Sequence, residues 1–281
     1  GDIWCPTYDG QACLFDVESE KFIDVLQPIE LSTKQTNYVT RIYSLEKGIA
    51  WILCENGYAF RVDEQLCKKG EGITLYAPSN HNLKGDQIFN VYQDSEEDEW
   101  ILTDKGVSII GKKTLDTDFP FQFITQIKES IYLIAENDKL ARYDFHTKKL
   151  KFVDIPYPHD KINNVTTIGK DMLALGTDNG LILYSIPQNS FQQIDIRTAT
   201  QTSNFVESVY QDCQGEIWIF SKDPGIVRLN LATNEKEHLF TPKDEIIKHG
   251  RKSRKLIFED NANNLWLLPT EGNFCYYDRK E

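Results

Sequence analysis

The chain has 281 residues, 40% of them hydrophobic and 12% aromatic, and its formal net charge is −12. This composition supports a large buried core, whereas the acidic balance excludes a nucleic-acid partner, because phosphate binding needs clustered Lys and Arg. No apolar run approaches the roughly 20 residues that cross a bilayer, and the first residues lack the charged segment and following apolar segment of a signal peptide. The segment itself is therefore expected to make no membrane contact.

A short motif recurs seven times along the chain: an apolar strand, a hairpin corner about six residues later, and a second strand. The equivalent positions are Trp4, Trp51, Trp100, Tyr132, Ala174, Trp218 and Trp266. Successive anchors lie 47, 49, 32, 42, 44 and 48 residues apart, and a repeat of this size is typical of one propeller blade. The pattern predicts an all-β, seven-bladed β-propeller of four-stranded antiparallel blades, folded as a single domain over residues 1–281.

The first strand of several repeats alternates apolar and polar residues and ends in aspartate, as in FNVYQD, ESVYQD and KLIFED. These residues, Asp94, Asp212 and Asp260, each precede a tryptophan by six positions. Aspartate in this place accepts hydrogen bonds from the backbone of the following turn. We interpret all three as turn clips rather than ligand contacts. The repeats at Tyr132 and Ala174 have shorter hairpins instead.

The anchor side chains occupy one apolar position of the repeat, which predicts burial between adjacent blades rather than a stacking platform for sugars. A third strand follows each corner and often ends in aspartate, twelve residues after its anchor: Asp16, Asp63, Asp144 and Asp278. Acid–base catalysis needs two carboxylates in different environments at one site. A carboxylate that recurs once per blade indicates a structural role.

Long polar loops follow the fourth strands, and these crossing segments differ most between repeats. Variable loops on a rigid frame are where binding residues concentrate. Aromatic faces stack on sugar rings while polar neighbours bond the hydroxyl groups. The candidate ligand-binding residues are Tyr8, His81, Phe119, Phe121, Tyr157, His159 and Phe205.

Residues 248–255 form a basic island, KHGRKSRK, in an otherwise acidic chain. A solvated loop is one interpretation. The functional alternative is binding of an acidic sugar, or of a partner domain, by Arg251 and Arg254, because a guanidinium can hold a carboxylate or sulfate with two parallel bonds.

The six cysteines lack the short paired spacings of zinc and redox motifs, and the sequence predicts no metal site and no cofactor. They are Cys5, Cys13, Cys54, Cys67, Cys213 and Cys275. Cys13 and Cys275 lie at equivalent places in the first and last repeats and would be neighbours in a closed ring. The alternative is that all six are small buried thiols.

The repeats DSEEDEWILTDKGVSII, DCQGEIWIFSKDPGIVRLN and DNANNLWLLPTEGNFCYYD resemble the two-component regulator propeller repeat. This family is found in the periplasmic sensor regions of hybrid two-component histidine kinases of gut Bacteroidetes. The resemblance implies an oligosaccharide-sensing, periplasmic domain without catalytic activity of its own. It also implies partners: the remainder of a parent sensor chain, with a membrane helix and a kinase, and a second copy in a homodimer.

The chain begins at the second strand of its first repeat and ends after the third strand of its last one. The first and last blades are therefore expected to be incomplete, with exposed sheet edges. We interpret the chain as a fragment of a longer sensor.

Two other functions remain open from the sequence. The propeller could be a rigid spacer or dimer surface without a ligand of its own. It could also be a carbohydrate-active hydrolase or lyase, which needs a carboxylate pair or a His or Tyr at the central channel. None of the five histidines, His81, His146, His159, His238 and His249, lies in a recognisable catalytic spacing.

Overall fold

Seven antiparallel sheets account for nearly all regular structure in the computed structural model of this chain. The structure describes residues 2–7, 11–26, 38–55, 57–76, 83–112, 115, 117, 119–197, 203–221, 225–240, 256–268, 275–277 and 279. The sheets are numbered 1 to 7 in chain order. By their contacts, the residues fall into two compact units, 1–124 and 125–281. The expectation of a single domain stays a prediction.

The first unit contains sheets 1 to 3. Sheet 1 has strands β1 Ile3–Pro6, β2 Ala12–Asp16 and β3 Lys21–Leu26. Sheet 2 has strands β4 Val39–Leu45, β5 Ile49–Cys54, β6 Ala59–Asp63 and β7 Ile73–Tyr76. Sheet 3 has strands β8 Ile88–Gln93, β9 Glu99–Thr103 and β10 Gly106–Ile109. A 3₁₀ turn, Glu46–Gly48, and a one-turn helix, α1 Glu64–Cys67, lie within sheet 2.

The second unit contains sheets 5 to 7 and most of sheet 4. Sheet 4 has strands β11 Phe121–Ile127, β12 Ser130–Ala135, β13 Leu140–Asp144 and β14 Lys149–Val153. Sheet 5 has strands β15 Ile162–Ile168, β16 Met172–Thr177, β17 Gly180–Ser185 and β18 Ser190–Ile194. Sheet 6 has strands β19 Val206–Gln211, β20 Ile217–Ser221, β21 Gly225–Asn230 and β22 Glu235–Phe240. Sheet 7 has strands β23 Leu256–Glu259, β24 Leu265–Leu268 and β25 Cys275–Tyr277.

Sheets 1 and 7 have three strands each, as the repeat pattern predicts. Among the described residues, sheet 3 has three strands, and beyond β10 the described pairing is a single bridge between Val107 and Leu115.

The aspartates before the tryptophans do hold the turns. Oδ1 of Asp94 accepts from the backbone nitrogens of Glu96 and Asp98, both at 2.9 Å. Oδ2 accepts from the indole Nε1 of Trp100 at 2.7 Å. Asp212 and Asp260 make the same three contacts in their own turns, with indole bonds of 2.8 and 3.0 Å. Three third-strand aspartates cap the turns that follow them: Asp63 accepts from two backbone nitrogens of α1, and Asp16 and Asp144 each accept from one backbone nitrogen. Asp278 lies outside the described residues.

Five of the seven anchors are buried in the core. Trp51 is fully buried and packs with Val91 and Ile101 of the next sheet. Trp218 is likewise buried, against Leu265 and Leu267. Trp100, Tyr132 and Ala174 have 1% exposure or less. Trp4 and Trp266, in the terminal sheets, are only partly buried.

Candidate functional site

Sheets 3 and 5 pass from their second to their third strand through the same corner, Thr-Asp-x-Gly, at residues 103–106 and 177–180. The threonine hydroxyl donates to the glycine carbonyl oxygen, at 3.1 Å in the first corner and 2.7 Å in the second. Gly180 has a φ of 103°, and a Cβ there would lie 2.7 Å from the carbonyl oxygen of Ile194. Only glycine fits this corner without a shift of the backbone.

The aspartate of each corner clamps the crossing loop that enters its sheet. Oδ1 of Asp178 accepts from the backbone nitrogens of Asp160 and Lys161, both at 3.0 Å. Asp104 makes the same pair of bonds, at 2.8 and 3.0 Å, to the loop that enters sheet 3. The end of each loop is therefore fixed to the corner beside it.

The crossing loop at residues 154–161 carries two of the residues predicted from the sequence, Tyr157 and His159. The Tyr157 hydroxyl donates to the carbonyl oxygen of Phe191 at 3.2 Å. The side-chain amide of Asn179, in the corner of sheet 5, donates to the carbonyl oxygen of Pro158, also at 3.2 Å. These bonds attach the middle of the loop to sheet 5.

His159 ties the same loop to sheet 4. Its Nδ1 lies 2.8 Å from the carbonyl oxygen of Tyr157, and its Nε2 lies 3.3 Å from that of Asp138. The ring of His159 therefore lies between a backbone carbonyl oxygen of the loop and one of sheet 4.

Asp160, Lys161 and Asn179 are exposed, and Tyr157 of the same loop is half-buried. We call these four residues the clamped loop surface. It combines a carboxylate, an ammonium group and an amide with one aromatic edge, all on backbone that is hydrogen-bonded in place. Such a set can donate to and accept from several hydroxyl groups at once.

The other described candidates are positioned differently. Phe205 is half-buried immediately before β19, in the second unit, while Phe119 and Phe121 belong to the first unit. Phe121 corrects the prediction of a loop contact: it is the first residue of β11, it has no exposed surface, and its ring packs 5.3 Å from that of Phe119. Phe121 is therefore a core residue at the start of a strand and not an exposed loop residue. Four further candidates, Tyr8, His81, Arg251 and Arg254, lie outside the described residues.

A shallow, open cleft of about 270 Å³ lies at the opposite end of sheets 4 and 5, where their first strands turn into their second. Its lining includes Gln126, Lys128, Thr167 and Lys170. None of the residues predicted from the sequence lines this cleft.

Within the described ranges, no group of three or more His, Cys, Asp or Glu side chains is arranged to hold a metal ion. Over the same ranges, no helix has the length and apolar character of a membrane span.

Two sets of structurally important residues escaped the sequence interpretation. Asp104 and Asp178 were identifiable from the repeated strings TDKG and TDNG. The residue before each aspartate clip forms the second set: Gln93, Gln211 and Glu259 accept from backbone nitrogens of the preceding sheet's first turn at 2.7, 2.6 and 3.0 Å. The dipeptides QD and ED, which recur at the end of the first strands, could have identified these three residues from the sequence.

The seven sheets with buried anchors between them are the blades of a β-propeller, and solved structures support this fold. The extracellular domain assigned to the hybrid two component system BT3049 of B. thetaiotaomicron matches over 99% of this chain, with a TM-score of 0.67 and 16% identity. The extracellular domain assigned to the one component system BT4673 of the same organism matches over 99%, with a TM-score of 0.55 and 16% identity. The WD40 propeller of Doa1 also matches over 99%, with a TM-score of 0.59 and 10% identity.

The chain spans 38% and 44% of the two B. thetaiotaomicron structures, and 89% of the Doa1 propeller. At these identities the likeness establishes the fold. No protein-family model and no curated protein matches the sequence.

Proposed function

We propose that this chain is a ligand-sensing β-propeller in the extracytoplasmic, periplasmic part of a hybrid two-component sensor, and that its ligand is an oligosaccharide. The observation that carries the proposal is the match of 99% of the chain to the extracellular domain of BT3049, on repeats that resemble the same kind of sensor. In this proposal the chain has no catalytic activity, and it acts with the remainder of a parent sensor chain as a homodimer.

The clamped loop surface supports binding of a hydroxyl-rich ligand. Its backbone is held by Asp178 and His159, so a ligand would meet groups that are already positioned, which lowers the entropic cost of binding. The exposed Asp160, Lys161 and Asn179 side chains provide charged and neutral hydrogen-bonding groups. Tyr157 provides the aromatic edge on which a sugar ring can pack.

Calorimetric titration of the purified chain with a panel of neutral and acidic oligosaccharides tests the proposal. We expect one class to bind, and we expect the Asp160→Ala and Lys161→Ala variants to weaken that binding at least tenfold while the fold is retained. Phe22→Ala is the control, because Phe22 is exposed at 65% on the third strand of sheet 1, outside the loop. Absence of binding by every member of the panel would favour a spacer, and turnover of any member would favour an enzyme.

A further inference from the structure

Cys5 and Cys13 lie directly opposite each other on neighbouring strands of sheet 1. The backbone nitrogen of Thr7 donates to the carbonyl oxygen of Gln11 at 2.9 Å, where the hairpin closes. Hydrogen-bonded pairs alternate along an antiparallel ladder, so Cys5 and Cys13, two positions further on, form such a pair. Their Cα atoms are then about 5.5 Å apart, within the range of about 4.4–6.8 Å that a disulfide spans.

Both thiols lie on the face of sheet 1 that is turned away from the core shared with sheet 2. On the same face, Ile3 and Phe22 are exposed at 55% and 65%. Cys5 and Cys13 are half-buried, and the Cys13 thiol donates to Oδ1 of Asp24 at 3.4 Å. A small oxidant can therefore approach the pair.

The other described cysteines have different surroundings. Cys54 and Cys67 are buried in the core between sheets 1 and 2. Burial raises the pKa of the Cys54 thiol to about 11 and also raises that of Cys67, which suppresses the reactive thiolate. Cys213 is exposed, and the hydrogen bond with Glu259 raises its pKa. Among the described strands, no other two cysteines are register partners.

We propose that Cys5 and Cys13 are a redox modification site, which forms a reversible cross-strand disulfide. The oxidant is a disulfide compound, either small or carried by a thiol oxidoreductase. The Cys5 thiolate attacks one sulfur of the oxidant, forming a mixed disulfide and releasing the first thiol. The Cys13 thiolate then attacks the Cys5 sulfur and releases the second thiol. Two protons and two electrons pass from the protein to the oxidant.

The geometry also makes this disulfide easy to reduce. In a hydrogen-bonded pair the Cβ atoms are about 5.5 Å apart, whereas a relaxed disulfide holds them at about 3.5–4.5 Å. The bridge must draw the two strands together, and strained disulfides have more oxidising potentials than structural ones. Its formation would link β1 and β2 covalently. The inference rests on the proposed function in one respect only, namely that a periplasmic location supplies an oxidising compartment.

Mass spectrometry of the folded protein after oxidation by glutathione disulfide tests the proposal. A protease that cleaves before aspartate separates Cys5 from Cys13 at Asp9, so residues 2–8 and 9–15 stay together only through a bridge. We expect a linked pair that separates on reduction, and no such pair in Cys5→Ser or Cys13→Ser. Cys213→Ser should leave it unchanged.

Two results would overturn the proposal. One is separate alkylation of both thiols under the same oxidant. The other is a link between the Cys13 peptide and Cys275, which would support the pairing considered from the sequence instead. The ease of reduction of the Cys5–Cys13 disulfide is measured in buffers with graded ratios of glutathione to glutathione disulfide. A bridge that stays fully oxidised across the series would contradict the strained geometry, whereas partial reduction supports it.

Discussion

The indole Nε1 of Trp218 donates a 2.8 Å hydrogen bond to Oδ2 of Asp212, six residues earlier in the chain. The Asp212 side chain has no exposed surface, and the indole is buried between sheets 6 and 7. The same pair recurs as Asp94 with Trp100 and as Asp260 with Trp266. In each pair, one carboxylate closes the first turn of the blade. The same carboxylate also accepts the hydrogen bond of the indole nitrogen of the anchor tryptophan.

Replacement of a clip should therefore destabilise the fold strongly. Asp94→Ala removes the acceptor for two backbone nitrogens and leaves the buried Trp100 nitrogen without its partner, and each such orphaned group costs about 1–3 kcal/mol. We expect a loss of about 3 kcal/mol in the free energy of unfolding, measured by urea denaturation. Asp98→Ala, in the same turn, is the control: the Asp98 carboxylate pairs with the exposed Lys112, and pairs with an exposed partner contribute about 0–1 kcal/mol. Equal losses in the two variants would contradict the clip.

The corner glycine of sheet 5 should tolerate substitution much less well than the glycine of its first turn. Gly180→Ala would place a Cβ 2.7 Å from a backbone oxygen at a φ of 103°, and we expect it to cost about 3 kcal/mol. Gly169→Ala meets nothing within 4 Å at a φ of 57° and should cost about 1 kcal/mol. Thermal unfolding compares the two variants, and a similar loss for both would show that the corner is not tightly constrained.

Stability should fall in acid partly through Asp16. A hydrogen bond from the Ser19 hydroxyl, followed by the contact with Lys68, lowers the pKa of Asp16 from 3.8 to about 2. Because the folded pKa is depressed, this contribution is present above pH 3.8 and is lost as the pH falls from 3.8 towards 2. We expect Asp16→Asn to flatten the dependence of the unfolding free energy on pH in that window. Val17→Ala, an exposed change in the same turn that keeps every titratable group, should leave the slope unaltered; a flatter slope there would refute the assignment to Asp16.

The residue before an aspartate clip accepts a backbone hydrogen bond from the first turn of the preceding sheet, and we call this contact a latch. The latch between sheets 6 and 7 is the charged one. Gln93 and Gln211 each accept one bond from the preceding sheet, whereas Glu259 accepts from the Cys213 nitrogen and also faces Arg279 at 3.1 Å. Glu259→Gln keeps the latch but loses the charge pair, and we expect it to cost about 1 kcal/mol.

Glu259→Ala removes both interactions and the bond from the Tyr210 hydroxyl, and it leaves the mostly buried Arg279 guanidinium with Asp212 as its acidic partner among the described residues. We expect a loss of about 3 kcal/mol in urea denaturation. If the Gln and Ala variants are equally stable, the latch contributes nothing.

The sequence could predict the elements whose signals are local. The apolar strands around Trp51 and Trp218, the six-residue interval from clip to indole, and the shorter hairpins before Tyr132 and Ala174 all depend on residues close together in the chain. These patterns fix which faces are buried, and the structure matches them in sheets 2, 4, 5 and 6. The loop interpretation of Phe121 was wrong because the start of a strand next to Pro120 has no sharp sequence marker.

By itself, then, the sequence determined the seven repeats, the order of strands and turns within each repeat, and the buried anchors. It could do so because a pattern of burial along a strand depends on residues that are close together in the chain. Only the tertiary structure decided that Asp178 clamps residues 160 and 161, that His159 lies between two carbonyl oxygens, and that Glu99 of sheet 3 accepts from Arg61 and Trp51 of sheet 2. Each of these contacts joins segments that are separated by up to 48 residues. Their geometry depends on how strands and loops pack, and short-range periodicity carries no information about those distances.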